Sequence, residues 1–299
     1  MDTITFGDVS VTRVIETVRP IMPPTDFVPD STQQDWADHA SWLVPDFWLP
    51  ESNQVRSALQ VWVLRSEGRT ILVDTGVGNH KNRPQMPIFH QLDTDFLDNL
   101  AGAGVRPEDV DLVINTHVHA DHVGWNTRLD GGDWVPTFPN ATYLLPARDF
   151  AFFGPDNVHR SRNPETHRNI FADSVTPVHQ AGLVELWDES HVIDRNLRLD
   201  LAAGHTPGSS VLRLESGSDR VVFVGDLVHT PIQLVEPDMN SCFCEDAAQA
   251  RASRRAVLGW AADNNALVVP AHLGGSGAAE LRRNGDRFAL KEWAPFARV

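Results

Sequence analysis

Cysteine is nearly absent from this chain: Cys242 and Cys244 are the only two. A disulfide between residues that close in sequence is strained, and two cysteines make no cross-linked framework, so they read as two reduced thiols of a cytosolic protein. Basic residues are also scarce, 25 against 40 acidic ones, for a net charge of −15. A field of that sign repels phosphate backbones, and nucleic acid is not expected as a partner. Bound divalent cations would still make one pocket locally positive while the rest of the surface stays acidic. No apolar run approaches the roughly 18 residues of a membrane span, which excludes a membrane partner of that kind. The opening MDTITFGDVSVTRV has no basic stretch followed by an apolar one, so a cytoplasmic location is expected. Linkers, low-complexity tracts and short-period repeats are missing too, and the reading is a single domain over residues 1–299.

What is present is an ordinary globular composition, 41% hydrophobic and 22% charged, in a chain of 299 residues that can bury a substantial core. Short β-rich runs open it: TITFGDVSVTRVIE, then SALQVWVLRS and RTILVDTG, the last two joined at SEGR (Ser66–Arg69) as a hairpin. A helix is expected in TDFLDNLAGAG, with Thr94 or Asp95 as N-cap and Gly102 or Gly104 as the stop. Strands follow in DLVINT, ATYLLP, LRLDLAAG, SSVLRLES, RVVFVGD and ALVVPAH, with GSD as a turn and the strongest helix in CEDAAQARASRRAVLGWAADN. Residues 146–182 read as polar helix and loop. Strands, loops and helices in two successive blocks predict α/β layering.

Residues 20–54 break this pattern. They hold six prolines and the aromatics Phe27, Trp36, Trp42, Phe47 and Trp48 without a clean period. Long excursions of this kind are functional or disordered, and the aromatic density argues for order. Trp36, Trp42, Phe47 and Trp48 read as core or oligomer interface, or in a sharper reading as an apolar lid over a site.

The stretch NTHVHADHVG (Asn115–Gly124) places His117, His119, Asp121 and His122 directly after an apolar strand. A loop there can turn all of them to one point, whereas a continuing strand would alternate them between faces. Imidazole with carboxylate is the ligand set of zinc and similar first-row divalent ions. The arrangement recurs: His205 follows LDLAAG, Asp226 follows RVVFVG and His272 follows ALVVPA, each at a strand end where functional loops gather. Asp74, after TILV, is expected to orient a ligand or hold the loop by hydrogen bonds. The other histidines, His39, His80, His90, His159, His167, His179 and His191, lie in polar surroundings and read as surface or supporting residues.

The order Asp74, His117-x-His119-x-Asp121-His122, His205, Asp226, His272 resembles the metallo-β-lactamase superfamily over roughly residues 55–275. The resemblance implies an αββα sandwich of two similar halves with two divalent metal ions per chain, Zn2+ first and Mn2+, Fe2+ or Co2+ as other choices. His117, His119 and His205 would bind one ion and Asp121, His122 and His272 the other, with Asp226 bridging. The family's β-lactamases lack the equivalent of His122 and carry cysteine in place of Asp226, so antibiotic hydrolysis is not implied. The nearest branch holds quorum-quenching lactonases and methyl parathion hydrolase. Its lactonases place a tyrosine three residues after the bridging aspartate, where this chain has His229; the only tyrosine is Tyr143.

That resemblance implies a metal-dependent hydrolase in which a metal-bridging hydroxide cleaves a neutral, hydrophobic ester or lactone. Asp121, Asp226 and His229 would be the residues closest to the chemistry. Organophosphate triester cleavage is the first alternative; a phosphodiesterase or nuclease, and a metal-binding sensor without turnover, are others. Expected partners are a small-molecule ester or lactone and at most a second copy in a homodimer. Should the tryptophans prove structural, specificity would be sought around His229 and the loop from Pro155 to Phe171.

Overall fold

The computed structural model describes residues 3–299, which fall into two compact units. The first comprises the N-terminus through Thr17 and Leu59–Asp194; the second comprises Val18–Ala58 and Arg195–Val299.

In the first unit the opening β-rich run is a hairpin, Thr3–Phe6 against Val9–Thr12, with Thr3 opposite Thr12. Trp62–Ser66 and Arg69–Val73 form the second hairpin, closed at Ser66 opposite Arg69 as SEGR predicts. Its two turn residues, Glu67 and Gly68, have φ of 48° and 79°, the left-handed pair that matches the twist of the flanking strands. Leu112–Ile114, Thr142–Pro146 and Val184–Trp187 then add in parallel beyond Arg69–Val73. Strands buried on both faces read as continuous apolar runs, as LVI and TYLLP do. The helix expected after Thr94 spans Phe96–Gly102 with Asp95 at its N-cap. Val14, Val61, Val63, Leu72, Phe96, Val113 and Tyr143 are among the core side chains of this unit.

In the second unit Leu197–Leu201, Ser210–Ser216, Asp219–Gly225, Leu267–Pro270, Ala279–Asn284 and Arg287–Trp293 are neighbours in chain order along one sheet. Only Asp219–Gly225 and Leu267–Pro270 pair in parallel. The helix Ala247–Asp263 is capped by Asp246, whose side chain accepts from Gln249 N. The aromatic excursion folds into three short helices, Pro24–Phe27, Gln33–Asp38 and Ala40–Leu43, followed by the strand Trp48–Leu49. Trp36 is 0% exposed and Trp48 6%, and both belong with Phe27 and Phe47 to this unit's core. Trp36 Nε1 donates to Ser31 Oγ at 2.9 Å, the partner that a buried indole needs. Trp42 packs against Trp293 at 6.5 Å. Trp36, Phe47 and Trp48 are therefore core, not lid.

Strand register matters most for function. Val73 lies opposite Ile114 in the first unit, and Gly225 opposite Pro270 in the second. In each case parallel strands end together, so the residues just beyond them emerge side by side. The carboxyl ends of parallel strands are where α/β proteins bind ligands.

Candidate metal centre

In the first unit the register delivers Asp74 beside the loop that starts at Asn115. Asp74 Oδ1 accepts from Thr116 N at 2.7 Å, and Oδ2 meets His122 Nδ1 at 2.9 Å. Thr116 Oγ1 lies 3.1 Å from His117 Nδ1. With Nδ1 engaged, Nε2 is the coordinating atom that His117 and His122 offer, the usual way a carboxylate or hydroxyl sets a ligand's tautomer. His117 Nε2 lies 3.1 Å from His119 Nδ1, and His122 Nε2 lies 3.8 Å from Asp121 Oδ1. The loop thus converges instead of alternating.

Its tight path has visible causes. The carbonyl of His122 accepts from Thr75 N, Thr75 Oγ1 and Asn115 Nδ2 at 2.9, 3.0 and 2.8 Å. A Cβ at Gly124 would stand 1.8 Å from the Val77 carbonyl oxygen, so only glycine lets the loop pass there. Beneath it, buried Glu16 accepts from Val77 N, Gly78 N and Trp125 Nε1 at 2.8, 3.1 and 2.7 Å. Burial raises the Glu16 carboxyl above its ordinary range while these donors pull the other way. Asp149 Oδ2 accepts from Val118 N at 3.0 Å.

In the second unit the donors come from separate strand ends and meet on one carboxylate. Asp226 Oδ2 lies 3.3 Å from His205 Nε2 and 3.2 Å from His229 Nε2, and Oδ1 lies 3.0 Å from His272 Nε2. His272 Nδ1 faces the Ala58 carbonyl at 3.2 Å, and His205 Nδ1 has Cys244 Sγ at 4.0 Å. Burial raises the Cys244 thiol above its ordinary value, which keeps it protonated and unreactive. His229 turns its Nε2 to Asp226 and to Ser241 Oγ, at 3.4 Å, and packs edge-on against Phe27 at 5.8 Å and tilted against Phe243 at 6.0 Å. Phe243 is 40% exposed, so the aromatic wall next to these donors is Phe27 and Phe243, and none of its members is a tryptophan.

Two supports hold this half. Glu245 N and Asp246 N, opening the long helix, donate to the carbonyls of His205 and Gly204 at 2.9 and 2.8 Å. Gly204 (φ 134°) allows the approach, since a Cβ there would lie 2.1 Å from Ala250 N. From the same helix the buried Arg254 donates to the carbonyls of Leu227, Pro237 and Met239 at 2.6, 2.8 and 2.9 Å, fixing the chain beyond Asp226. Burial brings its guanidinium down to about 10.

Each unit therefore gathers the donors that the sequence singles out: Asp74, His117, His119, Asp121 and His122 in the first, His205, Asp226, His229 and His272 in the second. Buried imidazoles and carboxylates at 3.0–3.8 Å cost free energy unless charge is shared among them, and a divalent cation is what such donor sets accommodate. The residues fit the metals that the resemblance implies. The sequence reading did not single out Glu16, Asp149 and Arg254, and it set His167 aside. His167 instead packs against His119, ring centroids 5.2 Å apart, and against Phe153 at 4.5 Å. Burial lowers its imidazole to about 4.

A buried ion cluster lies in the first unit. Arg83 grips Asp173 with both Nη atoms at 2.6 and 2.7 Å. Lys81 Nζ donates to Thr127 Oγ1 at 2.6 Å and lies 3.7 Å from the centre of the Trp134 ring. Burial lowers the Lys81 ammonium to about 7, against an opposing pull from Asp173.

Comparison with known proteins places these observations. The family model described as the metallo-beta-lactamase superfamily matches residues 58–272. Among solved structures, the hydrolase AbOPH of the beta lactamase superfamily superposes with TM-score 0.79 at 22% identity, covering 96% of this chain and 95% of that one. AidC, a dizinc quorum-quenching lactonase in complex with a product, does so with TM-score 0.79 at 20% identity, covering 98% and 97%. Among curated relatives, the endoribonuclease YSH1 of Saccharomyces cerevisiae is 23% identical over 195 residues, 60% of this chain and 22% of that protein. The matched region thus spans about a fifth of that relative's length. Among the described residues no helix is long and apolar enough to cross a membrane.

Proposed function

We propose, for this chain, which belongs to the metallo-beta-lactamase superfamily, a dinuclear metal-dependent hydrolase that cleaves a neutral, hydrophobic ester or lactone. The observation that carries the reading is Asp226, a buried carboxylate with the Nε2 atoms of His205, His229 and His272 at 3.0–3.3 Å. By the family resemblance, His117, His119 and His205 would hold one ion and Asp121, His122 and His272 the other, with Asp226 serving both. When bound, such ions supply Lewis acidity and lower the pKa of water towards neutrality. Zinc suits the imidazole-rich donors best; manganese, iron or cobalt remain chemically admissible.

The protein's own groups do the rest. Asp74 and Thr116 engage Nδ1 of His122 and His117, which leaves Nε2 as the atom each ring offers. His229, by donating from Nε2, steadies the carboxylate of Asp226. Phe27 and Phe243 give the second unit's half an apolar wall, which favours a substrate with a hydrocarbon part over a polyanion. No cysteine is required as a nucleophile, consistent with the raised thiol of Cys244.

Nuclease activity is the second reading, and the endoribonuclease relative favours it. The net charge of −15 weighs against a polyanionic substrate. Metal analysis of purified protein, followed by hydrolysis assays on lactones, aryl esters, phosphotriesters, RNA and a β-lactam, tests both. The expected result is about two ions per chain and turnover of esters or lactones. Zero or one ion in zinc-replete protein overturns the dinuclear assignment, turnover of RNA alone moves the protein to the nuclease reading, and full metal without turnover of anything marks it as a sensor.

A further inference from the structure

We propose that His167 is a substrate-binding residue, its Nδ1 hydrogen-bonding a polar group of a substrate seated beside His119. The inference rests on the ester or lactone reading above and narrows it: the substrate carries a second polar group, such as an amide or hydroxyl, next to its hydrocarbon part. Nothing in the sequence sets His167 apart from the other histidines of the polar stretch.

Three observations support the assignment. The rings of His119, Phe153 and His167 pack mutually, with centroids 5.4 Å apart for His119–Phe153, 5.2 Å for His119–His167 and 4.5 Å for Phe153–His167. His167 thus stands against a metal-ligand candidate with an aromatic ring framing it. Second, His167 Nδ1 is buried and has no hydrogen-bond partner among the described residues. A buried nitrogen left unpaired costs a folded protein free energy, and native structures keep such atoms mainly where something other than the protein supplies the partner.

Third, the segment that carries the ring is tied down on both sides of it. It closes the short 3-10 turn Pro164–His167, in which Thr166 Oγ1 donates to the Asn163 carbonyl at 2.7 Å. Two residues later Asn169 Nδ2 donates to the Asn82 carbonyl at 3.1 Å. Beyond it Asp173 opens its carboxylate to Arg83, with Ser174 Oγ adding a bond at 2.7 Å, and Thr127 Oγ1 donates to its carbonyl. The ion cluster anchors the segment that presents His167, which gives Lys81 and Arg83 a purpose that the metal chemistry does not. One polar edge in an aromatic frame suits an uncharged ligand that is part amide or hydroxyl and part hydrocarbon.

The test compares His167→Phe, which keeps a ring of similar shape without nitrogen, with His167→Asn, whose amide occupies the Nδ1 position without the ring. Two lactones serve as probes: N-hexanoyl homoserine lactone, which carries an amide, and γ-decalactone, whose side chain is only hydrocarbon. His167→Phe should lose about tenfold in kcat/KM on the amide-bearing lactone and less than twofold on γ-decalactone. Metal content and melting temperature should be unchanged, and His167→Asn should regain most of the loss. The dissociation constant of the ring-opened product N-hexanoyl homoserine, measured by calorimetry, should weaken by a similar factor in His167→Phe. Equal losses on both lactones, no loss on either, or no recovery in a folded His167→Asn would overturn the assignment. Wild-type protein that cleaves neither lactone overturns the hydrolase reading instead, and the calorimetric comparison then still decides His167: no binding by the wild type, or equal binding by both proteins, overturns it as well.

Discussion

The two units assemble their metal-ligand candidates by opposite means. In the first, four of them come from one loop of six residues, His117–His122, and several neighbours support it: Asp74 at His122, Thr116 at His117 and Asp149 at Val118 N, with Glu16 holding the adjoining Val77 and Trp125. In the second, three strand ends contribute one residue each, and what brings them together is a shared carboxylate, Asp226. A concentrated loop spreads its support over many weak bonds. A dispersed set depends on its common partner. The difference implies unequal tolerance to mutation, and that can be measured.

The largest effect is expected at Asp226. Asn keeps the shape but loses the charge that would offset bound cations, so Asp226→Asn should lower turnover by about a hundredfold or more and reduce bound metal. Near-normal activity and metal content would show that the second unit does not depend on this carboxylate. Asp74→Asn should do less, because Thr116 still holds His117; a loss of roughly 10–100-fold in metal affinity with the fold retained is the expectation for such an outer partner. Competition with a chelator of known affinity measures it. A loss at Asp74 as complete as that at Asp226 would erase the contrast between the units.

Arg254→Met sharpens the comparison from the stability side. It removes the donor from the Leu227 and Pro237 carbonyls and one of two donors from that of Met239, which Gln233 Nε2 still reaches at 2.9 Å; this should lower stability by about 2–4 kcal/mol, with metal loss following unfolding and not preceding it. Calorimetry with and without added zinc separates these. Metal loss from a fully folded variant would give Arg254 a direct part in placing Asp226.

The most gradual effect is a pH dependence at Lys81. Its ammonium falls from 10.5 to about 7 on burial, so between those values the unfolded chain holds a proton that the folded chain lacks. Stability contributed by this group therefore rises with pH across that window, is fully present above it, and is lost as pH falls through about 7. The melting temperature of wild type relative to Lys81→Met should climb from pH 7 to about pH 10. Parallel curves would mean that Asp173 keeps Lys81 charged throughout.

The same asymmetry explains what could be read from the sequence. His117, His119, Asp121 and His122 were legible because the ligands are neighbours in the chain, and His205, Asp226 and His272 because each follows an apolar run that could only be a buried strand. The hairpin at Ser66–Arg69 and the helix Ala247–Asp263 carry local turn and capping signals. Glu16 was not legible. It sits on a strand as any alternating polar residue would, and its partners Val77 and Trp125 lie 61 and 109 positions away. Arg254 looks like surface charge in ARASRRAV until the loop that it anchors is folded beneath it. Trp36 and Trp48 allowed two readings because a proline-broken segment has no period to say which face is buried. His167 needed tertiary packing to be distinguished at all.

The amides of Glu245 and Asp246 donate to the carbonyls that flank His205, just where the helix Ala247–Asp263 begins. Their exposure to solvent therefore requires the His205 loop and the first helical turn to part together. Any cation drawn to His205 would make that parting rarer, and deuterium uptake at these two amides would slow in proportion to occupancy. The helix start would act as a built-in gauge of metal loading, readable residue by residue even where no substrate is known.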